Sequence, residues 1–372
     1  MLRKKIFVAV LMVIFFTAFL PVAAQSPSAQ APDPLARIHA AAQGNAQACS
    51  TTGETLCEQV APKIIANAQG ESPLTENLRH YANEMDGRVI GPPGVARAAA
   101  WGVKAFRDAG VDVRTEKYSD PNGRLAEREN VVAEIRGREK PDEWVLVGAH
   151  LDSWAGGPGV GDSSCDDVAV IEAARDISLT GIHPRRSIRF VLFTAGETGM
   201  GMTGSWAYVR AHRVELDRAR AAIVLNSGCL RMTGYQLNGR HDIERGLQEA
   251  LKPIGSWKVG VFPFSPSRAS DDFDFLVEGV PTLTAIQVPT TYVFDGPTSV
   301  APPDKADIED LKRNTAIVAV TAFGIAERAA PIGPRQSRGE IKSLLKTSGL
   351  EQTMKGTPLW PLWESGERGR QP

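Results

Sequence analysis

Residues 145–154 read VLVGAHLDSW, and residues 185–197 read RRSIRFVLFTAGE. In each, an apolar run (Val145 to Ala149, Ile188 to Phe193) gives way to polar residues, His150 and Asp152 in the first and Glu197 in the second. Short continuous apolar runs fit strands buried on both faces, the kind found in parallel sheets covered by helices. A glycine-rich loop, AGGPGVGD (155–162), joins the two and presents Asp162 at the entry to a helical pattern. A third run, Ala221 to Leu225, leads into Asn226-Ser227-Gly228-Cys229. Ligands in open parallel sheets collect beyond the carboxyl ends of the strands, so His150, Asp152, Asp162 and Glu197 are expected on one rim. Imidazole and carboxylate suit zinc as direct ligands, and an Asp two residues after a ligand His is placed to orient its ring. The competing readings are a hydrogen-bonded core histidine for His150 and a helix cap for Asp162.

The same alternation extends outward. Val95 to Ala109 has helical periodicity ended by Gly110, Val111 to Thr115 alternates like a strand, and Asn130 to Ile135 is a further strand. The pattern continues to about residue 328 and predicts an α/β fold, a mostly parallel mixed sheet with helices on both faces, as one catalytic-type domain over 74–330. Residues 25–73 read as a leader and helical segment. Residues 331–372, rich in Pro, Gly and charge, read as a tail packed on the surface or partly loose, with a short helix near Ile341 to Lys346.

The 372 residues carry 42 Lys+Arg against 43 Asp+Glu, a balance of −1 that argues against a nucleic-acid binder. Residues 1–24 read as a signal peptide: Arg3, Lys4 and Lys5, an apolar stretch to Leu20, then small residues before the cleavage point. An uncleaved anchor is the alternative. Losing those three bases and no acid shifts the balance from −1 to −4 and places the chain outside the cytoplasm, secreted or periplasmic. No later apolar stretch suggests a membrane segment. Cys49 and Cys57 are expected to form a local disulfide in that oxidising space.

Six stretches carry a family resemblance: ENVVAEIRG (129–137), VLVGAHLDSW, GVGD (159–162), RRSIRFVLFTAGE, GSWAYV (204–209) and SDDFDFLVEGVPTL (270–283). Over roughly residues 74–328 the chain resembles the zinc-dependent exopeptidases, the aminopeptidases and carboxypeptidase Q, which hold two metals in one site. The resemblance implies a peptide or small amide substrate and up to two zinc ions. It places His150, a bridging Asp162 and a second Asp on one metal, and Asp162, a Glu and a late His on the other. The residue before the ligand Glu is the family's general base.

The sequence departs from that pattern in three places. The Glu-Glu pair falls on Gly196-Glu197, keeping the ligand and losing the base. The second Asp falls near Asn226 or Ser227. The late His should lie between Tyr292 and Thr298, yet none of the six His follows His241. Each metal keeps two of its three protein ligands, with Asp295, Cys229 and Cys165 as candidate replacements; a disulfide or simple burial is the other reading of the two cysteines. Arg268, Asp271, Asp272 and Asp274 are candidates for binding a substrate terminus and otherwise read as solvated loop charges, and Trp154 and Tyr292 are candidates for an apolar subsite. The literal GxGxxG at 199–204 lacks the acidic partner of a dinucleotide site, and no GxSxG supports a serine hydrolase. Two readings follow: an exported exopeptidase with a degenerate metal site built on His150, Asp162 and Glu197 with Asp152 in support, or an inactive peptidase-like protein that binds peptides or a partner.

Overall fold

A computed structural model describes residues 53–84, 94–120, 127–152, 164–195, 202–226, 228–262, 266–287 and 307–371. In chain order, α1 (Gly53–Gln69), α2 (Leu74–Glu84) and α3 (Gly94–Asp108) precede strands β1 (Asp112–Tyr118), β2 (Arg128–Ile135) and β3 (Lys140–His150). Helix α4 (Cys165–Ser178), β4 (Arg186–Phe193), α5 (Thr203–Ala211) and β5 (Ala219–Val224) follow. Then come β6 (Met232–Gln236), α6 (Glu244–Ala250), β7 (Gly260–Phe262), α7 (Asp272–Val277), β8 (Thr282–Gln287) and α8 (Ile308–Glu327). Helices α9 (Arg338–Thr347), α10 (Leu350–Lys355) and α11 (Leu359–Ser365) complete the described chain.

The strands form one eight-stranded sheet in the order β1-β2-β4-β3-β5-β8-β6-β7. Its centre, β4-β3-β5-β8, is parallel, while β2 and β6 add antiparallel pairs on either side. The fold is α/β, with helices on both faces as the apolar runs predict. Val145, Val147 and Ala149 of β3 pack under α1 to α4 and α8. The alternate residues Trp144 and Leu146 pack with Tyr208 of α5 and Phe275 of α7 on the opposite face. Buried residues come from all around α8, which explains why its sequence shows no polar stripe. Among the described residues no helix is long and apolar enough to cross a membrane.

Within the stretch read as a tail, α9 opens with a capping box between Ser337 and Glu340. Ile341, Leu345, Leu350, Met354, Leu359 and Trp363 then form an apolar cluster with Phe273 and Val277 of α7. The last residues lie against α7 as well, with the Arg370 amide donating to the Val277 carbonyl at 2.8 Å.

Candidate functional site

Chain order reverses around β3: β4 lies on one side of it and β5 on the other. Crossovers from such a strand leave in opposite directions and open a crevice at the carboxyl end. His150 is the last residue of β3, level with Phe193 of β4. By strand alternation it faces the same side as Trp144 and Leu146, toward α5 and α7.

The imidazole of His150 is 2% exposed, with Nδ1 3.0 Å from the backbone oxygen of Asp152 and 3.7 Å from its carboxylate. A carbonyl oxygen only accepts, so Nδ1 carries a proton, and Nε2 is the ring atom through which this side chain would ligate a cation. The strand end itself is pinned. The Leu151 amide donates to Phe193 O at 2.6 Å, and Tyr81 Oη lies 2.8 Å from Leu151 O and 2.5 Å from Asp167 Oδ2.

The turn after β5 is bound to α4. Cys165, in the first turn of α4, and Cys229 form a disulfide, and the Gly228 amide donates to Asp166 Oδ2 at 2.8 Å. With its sulfur so engaged, Cys229 supplies no thiolate to a metal, which closes that replacement. Asn226, one of the two positions near which the resemblance places a second Asp, donates its amide Nδ2 to Ala269 O at 3.3 Å.

Asp271, Asp272 and Asp274 correct the reading of solvated loop charge. All three are buried at the start of α7, while Arg268 is exposed. Burial pushes Asp271 up to about 7, with Asp152 and Asp274 adding repulsion and His150 opposing. Its Oδ1 has no hydrogen-bond partner among the described residues. Burial raises Asp272 to about 6; its Oδ2 accepts from Asn238 at 2.8 Å. Asp274 is raised by burial against the opposing pull of Arg368, which grips it with bonds of 2.7 and 3.0 Å. The signal missed in the sequence was the run SDDFDFLVEG itself: three acids at the head of an apolar helix are held inside when that helix is packed on every side.

Tyr118 closes the rim on the β2 side. Its hydroxyl lies 3.0 Å from Thr194 O and 2.9 Å from Thr194 Oγ1. Burial raises its pKa, and the charges of Asp152, Arg128 and Asp271 all act on it. Past Thr194, Ala195 (φ 60°) and Met202 (φ 59°) adopt the left-handed conformation on either side of residues 196–201. The last glycine of the GxGxxG run, Gly204, is a packing residue. A Cβ there would meet the Thr194 carbonyl and amide and lie 2.9 Å from Asn130 Oδ1.

Asp162, Glu197, Trp154, Ser227, Tyr292 and Asp295 lie outside the described residues, as do Cys49 and the signal-peptide reading. Among the described residues no group of three His, Cys, Asp or Glu is placed to hold a metal ion. The donor chemistry that is present fits one part of a zinc centre: a buried imidazole held through Nδ1 and, at Asp271, a carboxylate oxygen without a hydrogen-bond partner among the described residues.

A mixed sheet with a histidine at its switch point and buried carboxylates beside it defines an α/β protein with a candidate site in that crevice. Residues 130–321 match the model of peptidase family M28, and the chain belongs to that family. It is 30% identical to carboxypeptidase Q of Rattus norvegicus over 205 residues, 53% of this chain and 41% of that protein. The matched region thus spans about two fifths of the length of such curated relatives. In structure it resembles a peptidase M28 precursor from Shewanella amazonensis, with TM-score 0.67 and 18% identity over 76% of this chain and 100% of that one. It also resembles a zinc aminopeptidase from Bacillus subtilis, with TM-score 0.58 and 12% identity over 71% and 97% of the two chains. At those identities the structural likeness speaks for the fold.

Proposed function

We propose that the chain is an exported zinc-dependent exopeptidase acting on short peptides through a reduced metal site. The observation that carries this reading is His150: buried, at the switch point, with Nδ1 fixed by the Asp152 carbonyl. Asp162 and Glu197 complete the ligand set by resemblance. When bound, zinc would act as a Lewis acid at the scissile carbonyl.

The chain's own residues supply orientation and exclusion of water. Asp152 fixes the His150 ring through its backbone oxygen. The Cys165–Cys229 disulfide and Asp166 hold the turn after β5 against α4, and Tyr118 covers the β2 side. The resemblance puts Gly196 in the general-base position, where it offers no carboxylate of its own, and turnover is expected to be slow: general acid–base help is worth about 10²–10⁴-fold. The disulfide supports the export reading, because such bonds persist in oxidising compartments. Three departures from the family pattern favour the second reading, a peptide-binding protein without turnover.

Elemental analysis of protein purified without chelators separates the two. Near-stoichiometric zinc in the wild type, lost in His150→Ala, supports the exopeptidase; protein free of zinc in both contradicts it.

A further inference from the structure

Among the charged groups around the rim, Arg128 stands apart. It is 8% exposed, and its Nε is buried with no hydrogen-bond partner among the described residues. No carboxylate of the described residues forms an ion pair with it, although arginines elsewhere in the molecule are paired when buried. Arg368 holds Asp274, Arg186 holds Glu143, and Arg240 holds Asp242. A guanidinium taken out of water without a counter-charge is costly, so a counter-charge from outside the protein is the natural complement.

The sheet register shows where such a charge would enter. Arg128 opens β2 and pairs with Tyr118. It shares a face with Asn130, whose amide donates to Gly204 O and whose Oδ1 accepts from Thr194 N. That is the α5 and α7 face, the one His150 also occupies. β2 runs antiparallel to β4 with Val131 opposite Leu192, while β4 runs parallel to β3 with Phe193 opposite His150. Continuing the register, Arg128 lies about two residues beyond the level of His150. Both strands neighbour β4, so they stand roughly 10 Å apart. Tyr118 links the two positions, because its phenol feels the charges of Arg128, Asp152 and Asp271 together. A substrate whose scissile amide lies near His150 thus needs only one residue to bring a terminal carboxylate to Arg128.

We propose that Arg128 is the anchor for a substrate's C-terminal carboxylate, so that the site takes peptides with a free carboxyl end. The guanidinium fork matches a carboxylate with two parallel hydrogen bonds. This assignment rests on the exopeptidase reading for the substrate class, but its test does not require turnover.

Titration calorimetry of the full chain with N-acetyl-leucine and with N-acetyl-leucinamide compares ligands that differ only in that charge. The acid is expected to bind the wild type on the order of tenfold to a hundredfold more tightly than the amide. Arg128→Gln should abolish the difference, while Arg128→Lys, which keeps the charge and guards against a folding defect, should retain part of it. Equal affinity of the two ligands for the wild type, absence of binding by the acid, or an acid preference that survives Arg128→Gln would overturn the proposal. The last result would assign the carboxylate to a metal. Hydrolysis of leucyl-leucine and leucyl-leucinamide, measured in parallel, keeps the two readings apart. An acid preference without hydrolysis contradicts the exopeptidase alone, and equal hydrolysis of acid and amide contradicts the anchor alone.

Discussion

Replacing Arg368 by leucine should destabilise the fold from the far end of the chain. Arg368 is 4% exposed and donates to both oxygens of Asp274, at 2.7 and 3.0 Å. Its guanidinium also lies 4.6 Å from the ring of Trp206 and 5.6 Å from that of Phe273. Without it, Asp274 keeps Ser205 Oγ at 3.3 Å as its remaining donor among the described side chains. Removing one partner of a buried pair costs about 3–5 kcal/mol, because the other charge stays desolvated. In a chain of this size that corresponds to a melting point lower by on the order of 10 °C.

The loss carries a pH signature. Burial already raises Asp274, and Arg368 is the main opposing influence. Without Arg368 the native state holds a proton that the unfolded state releases, so stability falls as pH rises above the ordinary carboxyl range. Thermal unfolding followed by circular dichroism should therefore show a larger gap between wild type and Arg368→Leu at pH 8 than at pH 5. The double variant Arg368→Leu/Asp274→Leu should recover most of the loss, since an apolar pair replaces both charges. A shift under about 2 °C at pH 8, or one equal at both pH values, would refute the reasoning.

Three further outcomes follow from the packing. Gly204→Ala drives a methyl group against Thr194 and Asn130 and should cost about 1–3 kcal/mol or more in chemical denaturation; an unchanged midpoint would contradict the close approach. Reducing the Cys165–Cys229 disulfide frees a loop of 64 residues and should cost about 4 kcal/mol on the chain-entropy model, read as a lower melting point in reductant that Cys165→Ser/Cys229→Ser reproduces and reductant no longer shifts. Asp176, with both oxygens buried and without hydrogen-bond partners among the described residues, is raised by burial to about 8. The native state then keeps a proton between about pH 4 and 8 that the unfolded chain has lost, so stability declines over that window. Asp176→Asn should flatten this decline by on the order of a few kcal/mol, and parallel curves for the two proteins would count against it.

The central sheet was legible because its strands are buried on both faces. Runs such as Trp144 to Ala149 and Ser187 to Phe193 admit no amphipathic alternative, and their polar ends mark the rim. The same reasoning located His150 and Asp152 at a strand terminus. It failed for Asp271, Asp272 and Asp274, whose burial depends on α9 to α11 and residues 366–371 packing behind α7, a long-range event without a local pattern. Arg128 carries no mark in the sequence, where it simply precedes ENVVAEIRG, and only the antiparallel pairing of β2 with β4 carries it to the carboxyl ends of the parallel strands. Cys165 and Cys229 are 64 residues apart, a separation at which no local pattern distinguishes a disulfide from simple burial.

Zinc reconstitution of activity tests the functional reading most directly. Protein stripped with chelator is titrated with zinc while release of leucine from leucyl-leucine is followed, in the wild type and in His150→Ala. The expected result is turnover that rises from zero and saturates with zinc in the wild type, and stays absent in His150→Ala. Turnover independent of zinc, or none at any zinc concentration in a folded wild-type protein, would contradict it.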